Sequence, residues 1–146
     1  MTLQDPAVLL GRARRWRAAD PDPTTRAQID QVLERADPAE LDDLFGAELE
    51  FGTAGLRAAL GPGPNRMNRL VVRRTASAIA AHVLDAAGPP DGARTRPLVV
   101  VGHDARHGSE DFGRELVELL PAAGVDVERF DEPVPTPLVA LAVRAR

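Results

Sequence analysis

Residues 98–130, LVVVGHDARHGSEDFGRELVELLPAAGVDVERF, decide the fold. The first four are a continuous apolar run rich in β-branched side chains between a proline and a glycine, which is typical of a strand buried on both faces. A helical pattern follows, with Ser109 expected as its cap and Gly124 as its C-terminal stop. Residues 125–130 then predict a second strand.

Working outward, residues 69–87 predict a helix that ends at Gly88, and a further helix starts at Thr136. Residues 49–56 are interpreted as an extended segment entering a loop. The order strand, helix, three times over, predicts βαβ crossovers and an α/β fold with a mainly parallel or mixed sheet. The strand expected after the last helix is missing from the sequence.

The amino-terminal region predicts short helices, because three Asp-Pro pairs each combine a capping side chain with a proline suited to the first helical position. These pairs begin at Asp5, Asp22 and Asp37. We therefore divide the chain into a helical extension, residues 1–47, and an α/β domain, residues 48–146.

Composition and charge limit the function classes. The chain has 146 residues, 44% apolar and 27% charged, with a net charge of −4, so nucleic-acid or anionic-membrane binding is not expected. There is no cysteine, hence no disulfide or thiolate metal site. With no secretory leader in the sequence, we expect a cytoplasmic protein without membrane association.

The loop Phe51–Arg57, FGTAGLR, carries the most chemistry. Gly52 and Gly55 allow a ligand to approach the backbone, Thr53 adds a hydroxyl, and Arg57 can donate two parallel hydrogen bonds to phosphate oxygens. It is neither a Walker loop nor a GxGxxG fingerprint. By residue chemistry alone, a glycine turn with a surface arginine is the commoner explanation of such a loop, and an anion site is the alternative.

A second polar loop follows the apolar run, at the strand end where ligands gather in open parallel sheets. Asp104 and Arg106 are expected to pair there. His103 and His107 are four residues apart, but in a loop this spacing does not place them on one helical face, so metal ligation by them is not expected. Arginines at 66, 69, 73 and 74 are interpreted as a solvated helix start, with phosphate attraction as the alternative.

Four motifs together carry a family resemblance: FGTAGLR at 51–57, GPGPNRMN at 61–68, VVVGHDARHGS at 99–109 and VPTPLVALAVR at 134–144. In this order they resemble the first domain of the α-D-phosphohexomutases, in the phosphoglucomutase/phosphomannomutase branch. The resemblance implies a three-layer α/β/α domain of a phosphoserine enzyme. Such an enzyme moves a phosphoryl group between the 1- and 6-positions of a hexose in carbohydrate metabolism, with a phosphorylated hexose or phosphate as ligand.

The resemblance also implies roles for single residues. Arg57 would be catalytic, stabilising transition-state charge beside the phosphate. Gly52, Thr53 and Gly55 would shape the phosphate loop, and Asp104 with Arg106 would support the site. Ala58 stands where the family usually has glycine, and it would strain the loop if that position required a positive φ.

The family's serine lies in a loop reading roughly Thr-Ala-Ser-His-Asn-Pro, which these 146 residues do not contain. The family's magnesium is held by an aspartate cluster of a second domain, so no cofactor or metal is expected in this chain. We expect an interrupted amino-terminal portion of a mutase, inactive alone. The alternatives are a stand-alone phosphate or sugar-phosphate binding module, and a subunit associating with a chain that supplies the missing strand and domains.

Overall fold

The computed structural model of the chain describes residues 4–53, 55–88 and 96–146. These residues fall into two compact units, with the division between Val71 and Val72. The elements, in chain order, are α1 (Pro6–Ala19), α2 (Pro23–Arg35), α3 (Pro38–Phe45), α4 (Arg69–Ala87), β1 (Leu98–Val101), α5 (Ser109–Ala122), β2 (Asp126–Arg129) and α6 (Thr136–Arg144). Within the described ranges, none of these helices combines the length and apolar character needed to span a bilayer.

The three predicted Asp-Pro helix starts are confirmed. Asp5 accepts a hydrogen bond from the backbone N–H of residue 7 at 2.9 Å, and Asp22 accepts one from that of residue 24 at 2.8 Å. Asp37 accepts two, from residues 39 and 40. Each aspartate thus satisfies amide groups that have no partner inside the helix, and each proline fills the position where a missing N–H costs nothing.

The first unit packs α1, α2 and α3 around one hydrophobic core, which also includes the start of α4. Its buried side chains are Leu9, Ala13, Trp16, Ile29, Val32, Leu41, Leu44, Phe45 and Val71. Leu49, Leu56, Met67 and Leu70 pack against this core from the segment between α3 and α4. The division predicted after residue 47 remains a prediction, since it separates sequence features and not compact units.

The glycine- and proline-rich segment 61–66 docks on the end of α3. The backbone N–H of Leu49 donates to the carbonyl of Pro64 at 3.1 Å, and the side-chain amide of Asn65 donates to the carbonyl of Asp43 at 2.8 Å. Gly63 is buried with φ 90°, and a Cβ there would lie 2.5 Å from the carbonyl oxygen of Leu44. Glycine is required at this position by conformation and by space alike.

The second unit contains a βαβ crossover. β1 and β2 pair in parallel from Leu98 opposite Asp126 to Val101 opposite Arg129, and α5 connects them. A small core of Ala80, Val101, Leu120 and Val125 lies between the helices and this sheet. Parallel pairing through a helix is the arrangement predicted from the 98–130 stretch, and the α/β fold class is confirmed.

Two sequence-based expectations about the strands need correction. The extended segment 49–56 forms no strand in its described residues, because its backbone turns at Gly52–Gly55 instead of continuing along a partner. β1 is less buried than expected, since Val101 is buried and Leu98 to Val100 are half-buried. The described sheet has two strands, so β1 is covered by one neighbouring strand and by helices that contact it along part of its length.

The expected cap of α5 is also wrong. Gly108, with φ 77°, occupies the N-cap position and makes no side-chain hydrogen bond, and Ser109 is the first helical residue. The Ser109 hydroxyl accepts a hydrogen bond from the backbone N–H of Asp104 at 3.3 Å. The serine therefore closes the preceding loop, a role that depends on where the chain folds back and not on helix propensity.

Glu115 of α5 is a charged residue in the second core, with 2% of its surface exposed. One of its carboxylate oxygens lies 3.4 Å from a guanidinium nitrogen of Arg73 in α4. A carboxylate can remain charged at such a site only beside an opposite charge or hydrogen-bond donors. One of the arginines assigned by sequence to a solvated helix start thus belongs to an internal ion pair.

Replacing Gly63 with alanine tests the docking of the 61–66 segment. We expect Gly63→Ala to lower the free energy of unfolding by about 2–5 kcal/mol, because it adds left-handed strain and a clash with backbone. Gly55→Ala is the matched control: Gly55 also has a positive φ, 84°, but a Cβ there meets no atom within 4 Å. It should cost only about 1–2 kcal/mol. Urea denaturation followed by circular dichroism measures both; equal losses would contradict the predicted clash.

Candidate functional site

The loop that carries the predicted phosphate residues is a tight turn. The backbone N–H of Gly55 donates to the carbonyl of Gly52 at 3.0 Å, which closes a four-residue turn around Thr53. Gly55 has φ 84°, a conformation that glycine adopts without strain. Gly52 and Thr53 are exposed, and Gly55 is half-buried. Among the described residues of this turn, Gly52 and Thr53 are therefore the ones accessible at the surface.

Arg57 is exposed immediately after this turn. Within the described part of the first unit, its guanidinium takes part in no hydrogen bond or ion pair. By contrast Arg17, Arg35 and Arg66 of the same unit pair with Asp30, Glu40 and Asp43. An exposed guanidinium with no intramolecular partner keeps its donors available to an anion.

The predicted strain at Ala58 is absent. Among the described residues other than glycine, Ala36 alone has φ in the left-handed region, so Ala58 adopts an ordinary backbone conformation. Alanine in place of the family's glycine therefore costs the loop no backbone strain at this position.

Both sides of the loop are held. Leu49 and Leu56 pack against the core of the first unit on either side of the turn. Beyond Arg57, the carbonyl of Ala59 accepts a hydrogen bond from the backbone N–H of Met67 at 2.9 Å. Arg57 is thus exposed between Leu56, which packs on the core, and Ala59, whose carbonyl is hydrogen-bonded.

Asn68 is a residue of this region to which the sequence analysis assigned no role. It lies directly before the first residue of α4 and is 3% exposed. Its side-chain oxygen accepts a hydrogen bond from the backbone N–H of Val71 at 3.0 Å. The available signal was its position, since asparagine is among the preferred residues just before a helix.

The second polar loop is organised by Asp104, and the predicted pair with Arg106 is present. One carboxylate oxygen accepts from the backbone N–H of Arg106 at 3.1 Å, and the other accepts from its guanidinium at 2.7 Å. The Arg106 side chain is 85% exposed, so the ion pair itself contributes little to stability. The hydrogen bonds to backbone and to Ser109 define the loop.

These contacts lower the pKa of Asp104. The largest cause is the hydrogen bond from the Arg106 backbone N–H, followed by the Ser109 hydroxyl and the Arg106 guanidinium. All three favour the charged carboxylate over the neutral acid. The hydrogen bonds that define the loop are therefore also the ones that stabilise the charged form of Asp104.

The two histidines of this loop show no metal-site geometry. His103 has its Nδ1 3.3 Å from the carbonyl oxygen of Asp104, and His107 is exposed. Across residues 4–53, 55–88 and 96–146, no group of three or more acidic or histidine side chains could hold a metal ion.

The second unit also has a small cleft beyond the carboxyl ends of β1 and β2, with a volume of about 30 Å³. His103, Arg114 and Arg129 are among its lining residues. Arg114 pairs with Glu110 and Asp111, and Arg129 pairs with Asp131. Both arginines of this cleft thus already have carboxylate partners.

The structure thus places the predicted site residues on two loops. Gly52, Thr53, Gly55 and Arg57 lie together on a loop of the first unit. Asp104 and Arg106 lie together on a loop of the second.

Comparison with known proteins identifies the class. The family model described as phosphoglucomutase/phosphomannomutase, alpha/beta/alpha domain I, matches residues 48–146. A probable phosphoribomutase of Schizosaccharomyces pombe is 37% identical over 129 residues, which cover 88% of this chain and 21% of that protein. A phosphoglucomutase of Staphylococcus haemolyticus is 36% identical over 100 residues, 68% of this chain and 17% of that protein. Human phosphopentomutase is 30% identical over 147 residues, 97% of this chain and 23% of that protein. No solved structure matches the chain significantly.

The chain belongs to the phosphoglucomutase/phosphomannomutase family, and residues 48–146 match its domain I. The resemblance read from the four motifs is confirmed. The relatives are phosphomutases, and the chain spans about a fifth of their length.

The depressed pKa of Asp104 predicts a pH dependence of its loop. Because the folded protein favours the carboxylate, the stabilisation is complete above the ordinary pKa of about 3.9 and is lost as the pH falls through the lower folded value. We expect carbon NMR of the Asp104 carboxyl group to give a midpoint below about 3.9. Arg106→Ala should raise this midpoint only in part, since the backbone N–H at residue 106 remains.

Arg129→Ala serves as the control for that titration. It removes the arginine that pairs with Asp131 and should leave the Asp104 midpoint unchanged. An Asp104 that titrates at or above the ordinary value in the folded protein would contradict the cause assigned to it.

Proposed function

We propose that this chain supplies domain I of a phosphosugar mutase, and that the Phe51–Arg57 loop contacts the transferred phosphoryl group. The proposal depends on the surroundings of Arg57. Its side chain is exposed and has no partner in the described part of its unit, and it follows a turn that contains a glycine with positive φ. Family membership of residues 48–146 supports a phosphate as the anion this arginine meets.

In the proposed mechanism Arg57 acts by charge placement. A phosphoryl group in transfer spreads negative charge over its three equatorial oxygens. The planar guanidinium can donate two parallel hydrogen bonds to two of these oxygens. Because the Arg57 backbone is held before the ligand arrives, little reorganisation is needed at the moment of reaction.

The remaining predicted residues have supporting roles in this proposal. Gly52 and Gly55 let phosphate oxygens approach the backbone of the turn, and Thr53 offers a hydroxyl donor. Asp104 and Arg106 shape the second loop through their mutual contacts. Magnesium, which the family resemblance places on an aspartate cluster of a second domain, is assigned to no residue of this chain in the proposal.

A phosphorylated hexose is the substrate we propose, because the four motifs resemble the hexose branch and a phosphoglucomutase is among the relatives. A phosphorylated pentose is the second candidate. It is favoured by the names of the phosphoribomutase and phosphopentomutase relatives, which match 88% and 97% of this chain. The two candidates share the phosphoryl group and differ in the sugar.

Calorimetry with inorganic phosphate, glucose 1-phosphate and ribose 1-phosphate tests the phosphate contact. We expect Arg57→Ala to weaken binding of all three by roughly 10- to 100-fold, because a hydrogen-bonded charge pair contributes about 1.5–3 kcal/mol. Arg57→Lys should recover part of the loss, since it keeps the charge but not the fork of donors.

Arg14→Ala is the matched control for this titration. Arg14 is an exposed arginine of α1, and its removal changes the net charge equally. If Arg14→Ala weakens binding as much as Arg57→Ala, the effect is general electrostatics and the proposed contact is wrong. If wild type and Arg57→Ala bind phosphate alike, the contact is also wrong.

We further propose that the 146-residue polypeptide does not turn over sugar phosphates alone, because its sequence contains no Thr-Ala-Ser-His-Asn-Pro loop. Coupled assays with glucose 1-phosphate and with ribose 1-phosphate, each primed with the corresponding sugar bisphosphate, should give rates equal to those without protein. Turnover of either sugar would contradict the proposal and would also identify the sugar class.

A further inference from the structure

Asn68 is a buried polar residue outside the predicted site. Its side-chain nitrogen lies within hydrogen-bonding distance of the carbonyls of Gly61 at 2.9 Å, Gly63 at 2.7 Å and Arg66 at 3.1 Å, so its two N–H groups serve three acceptors and one of them is shared. Its oxygen accepts from the backbone N–H of Val71. One side chain, 3% exposed, therefore ties three points of the 61–66 segment to the first turn of α4.

The composition of the segment explains why a side chain donates hydrogen bonds to its carbonyls. Residues 61–66 read Gly-Pro-Gly-Pro-Asn-Arg, and the two prolines have carbonyls but no N–H. Such a segment contains more acceptors than backbone donors, and a buried carbonyl without a donor is costly. The amide of Asn68 supplies donors to the carbonyls of Gly61 and Arg66, and it adds a donor to the carbonyl of Gly63, which also accepts from the backbone N–H of Arg66 at 3.4 Å.

The same segment is connected to the Arg57 loop through the backbone. The N–H of Met67 donates to the carbonyl of Ala59 at 2.9 Å, and the N–H of Gly61 donates to the carbonyl of Met67 at 3.2 Å. Ala59 is two residues beyond Arg57. The chain that leaves Arg57 is thus attached to residue 67, whose neighbour Asn68 sets the course of the segment in between.

We infer that Asn68 is a positioning residue for Arg57: by holding Gly61 and Gly63 it fixes the backbone pairing that orients the arginine loop. This inference rests on the proposed contact between Arg57 and phosphate. In this inference Asn68 does not contact the phosphate. It acts through the hydrogen bond between the backbone N–H of Met67 and the carbonyl of Ala59. Removing its donors should loosen the Arg57 loop even where the core remains folded.

Asn68→Ser is the variant that isolates this role. Serine is a good residue directly before a helix, so the oxygen that serves Val71 can be kept while the amide donors are lost. Asn68→Asp, a second variant, also keeps the cap and removes both N–H groups. Asn65→Ser is the matched control, because Asn65 lies in the same segment but its amide donates to the carbonyl of Asp43 on α3.

The first readout is a double-mutant cycle in the binding of inorganic phosphate. We expect Asn68→Ser to weaken binding by about fivefold when Arg57 is present and to have no further effect in Arg57→Ala, because the two residues act in series. Asn65→Ser should leave the affinity within about twofold. Equal weakening by Asn68→Ser in both backgrounds would overturn the inference.

The second readout needs no ligand. Nitrogen-15 relaxation of the Leu56, Arg57 and Ala59 amides should show lower order parameters in Asn68→Ser and Asn68→Asp than in wild type, with Asn65→Ser unchanged. Unaltered order parameters in the folded variants would overturn the positioning role, whatever the phosphate titration shows. If instead wild type and Arg57→Ala bind phosphate alike while the order parameters fall, the proposed function fails and Asn68 still positions the loop.

Discussion

The first unit depends on how a glycine- and proline-rich segment satisfies its carbonyl groups. Residues 61–66 contain two residues without an N–H, and the segment packs closely enough on α3 that Gly63 leaves no space for a side chain. Asn68 donates to carbonyls at both ends of this segment and at Gly63, and the start of α4 receives its cap from the same side chain. Loop course, helix start and the pairing of Ala59 with Met67 therefore depend on one another.

The second unit is organised around the parallel pairing of two short strands. Such pairing requires a crossover, and α5 provides it while burying Leu120 beside Val101 and Val125. The chain between β1 and α5 is closed by Asp104, which accepts from the backbone and side chain of Arg106, and by the Ser109 hydroxyl. The depressed pKa of Asp104 follows from the same contacts, so the charge and the shape of this loop have one cause.

The Phe51–Arg57 loop and the Asp104 loop both lie within residues 48–146, which match domain I of the phosphoglucomutase/phosphomannomutase family. Arg57 has no partner in the described part of its unit, so its guanidinium keeps hydrogen-bond donors that the proposed phosphate contact would use. Ala58, which stands where the family usually has glycine, does not have a positive φ, so the alanine causes no backbone strain there. The relatives are named for different sugars, since one is a probable phosphoribomutase and another a phosphoglucomutase. The proposed contact of Arg57 is to the phosphoryl group, which both sugar phosphates share.

Local chemistry was readable from the sequence because it acts over a few residues. Several elements depend only on neighbours within a turn or a short run of residues. These are the Asp-Pro helix starts, the helix of residues 69–87, the strands around 98–101 and 126–129, and the pairing of Asp104 with Arg106. Tertiary structure decided the rest. Glu115 is buried beside Arg73 of another helix, because the fold packs α5 against α4. Ser109 closes a loop instead of capping a helix, and Asn68 ties residue 61 to α4, because each contact depends on the course of the backbone, which residue type alone does not fix. A residue's type states what it can donate or accept, and only the folded chain determines which partner it meets.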